Sequence, residues 1–362
     1  MFSFNTALMS EVICINGEHI NATNLADWAE HKTGIAAEAA DFLTEWYAGP
    51  QYVNLHTSGS TGQPKLIRAS KDAMRASAAL SCRYFGLTQN STAFLALPIR
   101  YVAGKMMLVR ALVSGCRLIL AEPDSTPLEH LQEAVDFAPL VPMQVIRTLQ
   151  QANGAAQLAK IRQLLLGGGF IDSALNEALQ EIPCSIYASY GMTETLSHIA
   201  LRRINGAQRS EWYQPLPGVS LSLTKDETLQ ISAAHLNIEN LETNDIADLR
   251  PDGSFRLLGR RDAVINSGGI KIQAEKIEQI LSAATGLQLA VVPAPDPVLG
   301  QCVALLWEGD IAAEALLKEA IGTLPAYHKP RIIRHTQALP RTNSGKLSRK
   351  EAAEFISTAQ ES

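Results

Sequence analysis

Short apolar runs, many of them rich in β-branched residues, alternate along the chain with longer stretches in which apolar residues recur at helical spacing. The strand-like runs are residues 52–55, 94–98, 117–121, 163–166 and 185–190. The helical stretches are residues 25–31, 36–47, 71–85, 103–113, 128–137, 143–151 and 173–180. This alternation is typical of βαβ units around a largely parallel sheet.

The pattern changes twice towards the C-terminus. After Pro215 it predicts short strands, including residues 229–232 and 254–258, and Arg250-Pro251-Asp252-Gly253 forms a turn between two of them. From Gly259 onward it predicts helices at 274–283 and 311–323, strands at 288–292, 302–307 and 331–335, and a lysine-rich tail. A chain of 362 residues favours two domains.

We therefore predict an α/β fold. Residues 1–260 are expected to form a large N-terminal domain of mixed or parallel sheets flanked by helices, with a small β-rich subdomain. Residues 261–362 are expected to form a small, mobile C-terminal α+β domain of ordinary domain size.

Composition narrows the class of protein. With 46% hydrophobic and 19% charged residues, the chain is typical of a soluble globular protein. A net charge of -5 without any basic block argues against a nucleic-acid partner. There is no secretion signal and no apolar run long enough for a membrane span, and the five cysteines are scattered, which is typical of reduced thiols. We expect a cytoplasmic protein without a membrane partner, and the sequence leaves its oligomeric state open.

A polar loop between a predicted strand and a predicted helix is the strongest chemical signal. It consists of Thr57, Ser58, Gly59, Ser60, Thr61, Gly62, Gln63, Pro64 and Lys65. Glycines allow close backbone approach, hydroxyls and N–H groups donate to phosphate oxygens, and the lysine supplies charge. The spacing differs from a Walker A loop. A flexible linker is the alternative, but the flanking elements favour a phosphate-binding loop.

This loop resembles the phosphate loop of the adenylate-forming superfamily, which comprises acyl- and aryl-CoA synthetases, luciferases and carrier-protein adenylation domains. Three further segments match that family in the same order: Tyr190-Gly191-Met192-Thr193-Glu194, Gly259-Arg260-Arg261-Asp262 with Ser267-Gly268-Gly269, and Pro340-Arg341-Thr342-Asn343-Ser344-Gly345-Lys346. The resemblance implies ATP, Mg²⁺ and coenzyme A as ligands. It also implies that a carboxylate attacks the α-phosphate of ATP and that a thiol then displaces AMP.

The resemblance assigns roles to the nucleotide-binding residues. Tyr190 would stack on adenine beside Gly191 and Met192, Thr193 would reach the α-phosphate, and Glu194 would hold Mg²⁺. Asp245 would bind the ribose hydroxyls together with Arg260. The glycine run after a buried strand (Gly167, Gly168 and Gly169) would line the pocket for adenine and the acyl group.

The C-terminal matches imply the remaining parts of the reaction. Asp262 occupies the hinge position about which the small domain would swing. The turn at Ser267, Gly268 and Gly269 would border the pantetheine tunnel. Lys346 would bridge the substrate carboxylate and the α-phosphate, and it forms the predicted catalytic set with Thr193 and Glu194.

The segment ahead of the phosphate loop is short for this superfamily. In this respect the chain is most similar to the compact o-succinylbenzoate–CoA ligases of bacterial menaquinone synthesis, whose aryl acid carries two carboxylates. Another aryl- or acyl-CoA ligase, or a stand-alone adenylation domain that loads a carrier protein, remains an alternative. A nucleotide-binding relic is disfavoured, because Lys65, Glu194 and Lys346 are all present.

Residues 97–105 match the family segment that usually carries an aromatic residue followed by histidine, and Arg100-Tyr101 replaces that pair here. Arg100 and Lys105 are candidates for binding the second carboxylate. Ser197 and His198 form a second candidate pair in the acid pocket. Arg100 facing solvent or pairing with a nearby acid, and His198 as a core histidine, are the alternatives.

Overall fold

The computed structural model of the chain describes residues 12–48, 50–56, 66–169, 171–342 and 347–358. In chain order, the strands of these residues are β1 (Ile13–Ile15), β2 (Glu18–Ile20), β3 (Tyr52–His56), β4 (Leu66–Ser70), β5 (Thr92–Leu95), β6 (Arg117–Leu120), β7 (Val135–Leu140), β8 (Ile161–Leu166), β9 (Ser185–Gly191), β10 (His198–Arg203), β11 (Gln214–Pro215), β12 (Val219–Leu223), β13 (Thr228–Ala233), β14 (Ile238–Leu249), β15 (Phe255–Arg260), β16 (Val264–Ser267), β17 (Ile270–Gln273), β18 (Gln288–Asp296), β19 (Gly300–Glu308) and β20 (Ile332–Thr336).

The α-helices of the same residues are α1 (Leu25–Ala29), α2 (Gly34–Ala48), α3 (Lys71–Phe85), α4 (Val102–Ser114), α5 (Pro142–Leu149), α6 (Gly154–Leu158), α7 (Ser173–Ala178), α8 (Ala274–Thr285), α9 (Glu314–Gly322) and α10 (Arg349–Thr358). Among the helices of the described ranges, none combines the length and apolar character that crossing a bilayer requires.

The largest sheet has nine strands in the order β11-β10-β9-β8-β7-β5-β6-β1-β2. The strands from β9 to β1 run parallel to their neighbours, and antiparallel strands extend both edges. Parallel neighbours need crossover connections, and α4, α5 with α6, and α7 supply them. The predicted α/β class with a mixed, mainly parallel sheet is confirmed.

Helices cover both faces of this sheet. Successive side chains of β5 point to opposite faces, so Ala93 and Leu95 join one buried cluster while Phe94 joins another. The first cluster contains apolar residues of α2, α3 and α4, and the second contains residues of α5, α6 and α7. Burial on both faces explains why the parallel strands read as almost uninterrupted apolar runs.

The predicted helix at residues 128–137 is wrong. Leu128, Leu131 and Val135 have helical spacing, but the structure has only a 3₁₀ turn at Pro127–His130, followed by strand β7. Strand β7 lies in the sheet interior between β5 and β8, where all its apolar side chains are buried. Pairing on both edges therefore outweighs the local helical pattern.

Three smaller sheets complete the fold. A β3–β4 hairpin joins His56 to Leu66, so it brings the two ends of the polar loop together. Strands β12 to β15 form an antiparallel sheet, and β16 to β20 form a five-stranded sheet. The apolar clusters of that last sheet draw only on residues between Ala263 and Ile356, whereas the clusters of the earlier elements end at Phe255.

Candidate active site

The carboxyl ends of β8 and β9 form the edge at which several predicted nucleotide-binding residues meet. These strands pair in parallel, with Leu166 opposite Ala188, so Gly167 and Ser189 follow at the same edge. A Cβ atom on Gly167 would lie 2.6 Å from Ser189 Oγ, so a larger residue would force the Ser189 side chain to move. The glycine run therefore leaves exposed backbone beside the end of β9, as a flat ligand requires.

Tyr190, Asp245 and Arg260 form one hydrogen-bonded group. The Tyr190 hydroxyl donates to Asp245 Oδ2 at 2.7 Å, and Arg260 Nη1 donates to Asp245 Oδ1 at 3.0 Å. The antiparallel register of β14 and β15 places Asp245 directly opposite Arg260. Burial, together with the Asp245 charge, raises the pKa of Tyr190, so its hydroxyl remains a donor at neutral pH.

The turn between β9 and β10 carries Thr193 and Glu194, both half-buried. Gly191 is required here, because a Cβ atom would lie 2.3 Å from the Ser197 carbonyl oxygen. Among the described residues, no group of three or more His, Cys, Asp or Glu side chains could hold a metal ion. Mg²⁺ that is bound together with nucleotide phosphates needs only one or two protein carboxylates, so Glu194 fits that ion.

Asp262, the predicted hinge residue, is hydrogen-bonded to Arg260 of the nucleotide group. Arg260 donates to both oxygens of Asp262, from Nε at 2.8 Å and from Nη2 at 2.7 Å. Burial alone would raise the pKa of Asp262, but the hydrogen bonds and charge of Arg260 outweigh it, and the pKa is lowered. A single guanidinium thus bridges Asp245 and Asp262.

The turn at Ser267, Gly268 and Gly269 lies between β16 and β17. Both glycines have positive φ angles, 56° and 86°, which favour glycine over other residues. The Gly268 N–H donates to the Leu299 carbonyl at 3.0 Å, so the turn packs against the β18–β19 connection. Its predicted place at a pantetheine tunnel stays a prediction.

The predicted acid pocket divides into two parts in the structure. Arg100 and Lys105 lie on carboxylates of α2: Arg100 Nη1 is 3.2 Å from Glu38 Oε1, and Lys105 Nζ is 3.7 Å from Glu45 Oε2. The Arg100 side chain is 60% exposed, and Tyr101 is half-buried. The contribution of these three residues to acid binding stays a prediction.

Ser197 and His198 instead lie beside Arg110 of α4, which the sequence analysis did not select. Arg110 is 3% exposed, donates from Nε to Ser81 Oγ at 2.8 Å, and donates from Nη2 to Ser197 Oγ. Within the described part of the chain, no carboxylate forms a salt bridge with it. A buried cation without a counterion is costly to maintain. Its sequence signal is a single charge inside the apolar stretch 106–112.

The protonation states of this cluster follow from burial. Burial lowers the pKa of Arg110 to about 10, so the side chain is still a cation at neutral pH. Burial, and then the neighbouring Arg110 charge, lower the pKa of His198 well below its ordinary value. The ring is therefore neutral, and among the described residues its Nε2 atom has no hydrogen-bond partner. The cluster therefore combines one buried positive charge with a polar nitrogen that has no hydrogen-bond partner among the described residues.

The predicted phosphate loop (Thr57, Ser58, Gly59, Ser60, Thr61, Gly62 and Lys65) and Lys346 lie outside the described residues. Their flanking segments are described. The register of β3 and β4 closes the base of the loop, and an isolated bridge between Arg341 and Leu347 brackets the lysine segment.

Comparison with known proteins agrees with this geometry. The family model described as AMP-binding enzyme matches residues 17–235, more than half of the chain. A 2-succinylbenzoate–CoA ligase from Lactococcus lactis is 27% identical over 388 residues, covering 95% of this chain and 85% of the relative.

Solved structures agree as well. An acyl-CoA synthetase (AMP-forming)/AMP-acid ligase II-like protein from Dyadobacter fermentans is 33% identical with a TM-score of 0.62, covering 92% of this chain and 98% of that one. The o-succinylbenzoate coenzyme A synthetase of Bacillus subtilis, solved with ATP and magnesium ion, is 23% identical with a TM-score of 0.68, covering 82% of this chain and 69% of that one. The chain therefore belongs to the AMP-binding enzyme family.

Proposed function

We propose that this protein is an AMP-forming acid–CoA ligase that converts o-succinylbenzoate to its coenzyme A thioester, a step of menaquinone synthesis. The observation that carries the choice of acid is the buried guanidinium of Arg110, which reaches the turn bearing Thr193 and Glu194 through Ser197. A cation held in that position without a carboxylate partner among the described residues favours an acid with a second negative charge. The name of the 27% identical Lactococcus lactis relative supports the same substrate.

In the first half-reaction, the succinyl carboxylate attacks the α-phosphate of ATP, forming the acyl-adenylate and releasing pyrophosphate. Asp245 accepts hydrogen bonds from the ribose hydroxyls, Arg260 orients Asp245, and Tyr190 stacks on adenine beside Gly167, Gly168, Gly169, Gly191 and Met192. The loop from Thr57 to Lys65 binds the phosphates. Lys346 and Thr193 contact the reacting groups. They position these groups and neutralise charge, which is what transfer at a phosphate requires.

The Glu194 carboxylate would hold Mg²⁺ together with the nucleotide, and the ion would neutralise phosphate charge. One protein carboxylate is within the usual number for Mg²⁺ bound with nucleotide phosphates. Arg110 binds the aromatic carboxylate by charge-assisted hydrogen bonds, and His198 Nε2 supplies a further polar contact. The acid is thus oriented with only its succinyl carboxylate at the α-phosphate.

In the second half-reaction, the coenzyme A thiol attacks the acyl carbon and AMP leaves. Residues 261–362 act as a mobile domain that turns about Asp262 against residues 1–260, and Ser267, Gly268 and Gly269 border the path of the pantetheine arm. The separate apolar clusters on either side of Arg260 support this division. The cytoplasm is the proposed compartment, since all five cysteines are free thiols.

The test is product analysis with the full chain, ATP, Mg²⁺, coenzyme A and a panel of aryl and acyl acids. We expect o-succinylbenzoate to give the highest kcat/KM and a product with the mass of its coenzyme A thioester. A higher kcat/KM for another acid would point to a different CoA ligase. Adenylate formation without any coenzyme A product would point to a carrier-loading adenylation domain.

A further inference from the structure

A carboxylate of helix α2 holds the backbone of Ile99 and Arg100, which belong to the segment predicted to line the acid pocket. Glu38 Oε2 accepts the Ile99 N–H at 2.6 Å and the Arg100 N–H at 3.1 Å, and Oε1 accepts from Arg100 Nη1 at 3.2 Å. One side chain thus receives three donors from a segment far away in the sequence. Helix α2 contributes none of the residues that the family resemblance selects.

Helix α2 is a firm support because both of its ends are held. Near its start, the Ile35 N–H donates to Glu122 Oε1 at 3.0 Å. At its end, the buried ammonium of Lys71 donates to the Glu45 and Trp46 carbonyls at 3.1 and 2.7 Å. Glu38 lies between these two attachments, so its carboxylate has a fixed position from which to hold the Ile99–Arg100 backbone.

The held backbone lies directly against the first turn of α4. Ile99 is 1% exposed, and a Cβ atom on Gly104 would lie 2.5 Å from the Pro98 carbonyl oxygen and 2.7 Å from the Ile99 Cα atom. At this spacing, a shift of Pro98 or Ile99 moves the first turn of α4 as well. Arg110 lies further along the same helix, and a helix transmits such a shift along its axis.

We infer that Glu38 is a positioning residue of the acid pocket: its carboxylate fixes the backbone leading into α4 and thereby the place at which Arg110 meets the acid. The inference rests on the proposed function, since it takes Arg110 as the group that binds the second carboxylate. It makes Glu38, a residue of the N-terminal segment, a determinant of which acid the enzyme binds. The hydrogen bonds that join the nucleotide group of Tyr190, Asp245 and Arg260 involve β9, β14 and β15 and not α2.

The test is a steady-state comparison of Glu38→Ala and Glu38→Gln with the wild type. Misplacing a substrate-positioning group by a fraction of an ångström to an ångström is expected to raise the KM for the acid in Glu38→Ala by about 10-fold to 100-fold. The KM for ATP is expected to stay within about twofold of the wild-type value, because the residues of the nucleotide group keep their positions. The KM for the acid in Glu38→Gln should lie between those of the wild type and Glu38→Ala, since the amide oxygen can still accept the Ile99 N–H. Asp41→Ala is the matched control, because Asp41 is exposed on the same helix.

The outcomes separate this inference from the proposed function. If the wild type forms no thioester with o-succinylbenzoate, the proposed function fails, and the inference fails with it. If the wild type is active but Glu38→Ala leaves the acid KM unchanged, or raises both KM values equally, the positioning role alone is overturned. If Glu38→Ala does not fold, the split between the two KM values in Glu38→Gln decides the question.

Discussion

Replacing Arg110 by methionine should separate activity from stability. Burial lowers the pKa of Arg110 from its ordinary value to about 10, so keeping the cation in the folded protein costs about 3 kcal/mol. Because the folded-state pKa is the lower one, this cost is present in full at neutral pH and begins to decrease only as the pH rises above about 10. Methionine has a similar length and no charge. The lost contacts to Ser81 and Ser197 offset part of the gain, so Arg110→Met should unfold at the same Tm or a higher one.

The activity of Arg110→Met with o-succinylbenzoate should fall, although its stability should not. Removing one partner of a buried, hydrogen-bonded charge pair costs about 2–5 kcal/mol, which corresponds to a loss of roughly 30-fold to several thousand-fold in kcat/KM for o-succinylbenzoate. The matched substrate is 4-oxo-4-phenylbutyrate. It keeps the carboxylate that is activated but lacks the ring carboxylate that Arg110 would bind. With that acid, we expect Arg110→Met to change kcat/KM by less than about threefold.

The assay is pyrophosphate release with both acids, with wild-type and variant proteins, and with thermal unfolding measured on the same samples. The four kcat/KM values form a cycle that isolates the contact between Arg110 and the ring carboxylate. An equal loss with both acids would refute the assignment, because Arg110 would then act on the fold or on the adenylate. A marked fall in Tm would refute the stability argument.

Three further predictions follow from other parts of the site. Lys346→Ala should slow adenylation about 10²-fold to 10³-fold while largely sparing thiolysis of a supplied acyl-adenylate, and equal damage to both half-reactions would contradict its role. His198 binds a proton in the unfolded chain at a higher pH than in the folded one, so stability should decrease by about 1.4 kcal/mol per pH unit below pH 6.5. Chemical denaturation across pH 5–7 should show a shallower decrease for His198→Gln, and identical slopes would exclude the histidine as the cause. Gly191→Ala should lower the free energy of unfolding by about 1–3 kcal/mol, because the added Cβ would lie 2.3 Å from the Ser197 carbonyl oxygen. Gly322→Ala, where a Cβ atom meets nothing within 4 Å, is the control and should be neutral or stabilising.

The sequence predicted correctly those elements whose ends are set by neighbouring residues, such as helix-capping serines and glycines. Helix α3 spans Lys71–Phe85 as expected, because Ser70 Oγ accepts the Ala73 N–H at its start and Gly86 adopts a left-handed conformation at its end. Strands β5, β6, β8 and β9 of the parallel sheet were found from their apolar runs, whereas the parallel strand β1 was not predicted. The predicted helix at residues 128–137 failed because strand pairing, which depends on distant residues, decided the outcome.

The same distinction applies to the site. Tyr190, Asp245 and Arg260 were predicted from separate motifs. The hydrogen bond between Asp245 and Arg260 follows from the register of β14 and β15, whereas the one from Tyr190 joins two different sheets. Arg110 belongs to no family motif quoted in the sequence analysis, and its importance appears only when its burial and the absence of a paired carboxylate in the described residues are known. Glu38 was missed for a similar reason, because its partners Ile99 and Arg100 are remote in sequence.

In the proposed reaction, a nucleotide and a dicarboxylic aryl acid react at the edge formed by β8, β9 and the turn that follows. ATP–pyrophosphate exchange with labelled pyrophosphate, Mg²⁺ and o-succinylbenzoate tests it most directly. We expect exchange that requires the acid and that is much weaker with 4-oxo-4-phenylbutyrate. Absence of exchange above the acid-free control, or equal exchange with both acids, would contradict it.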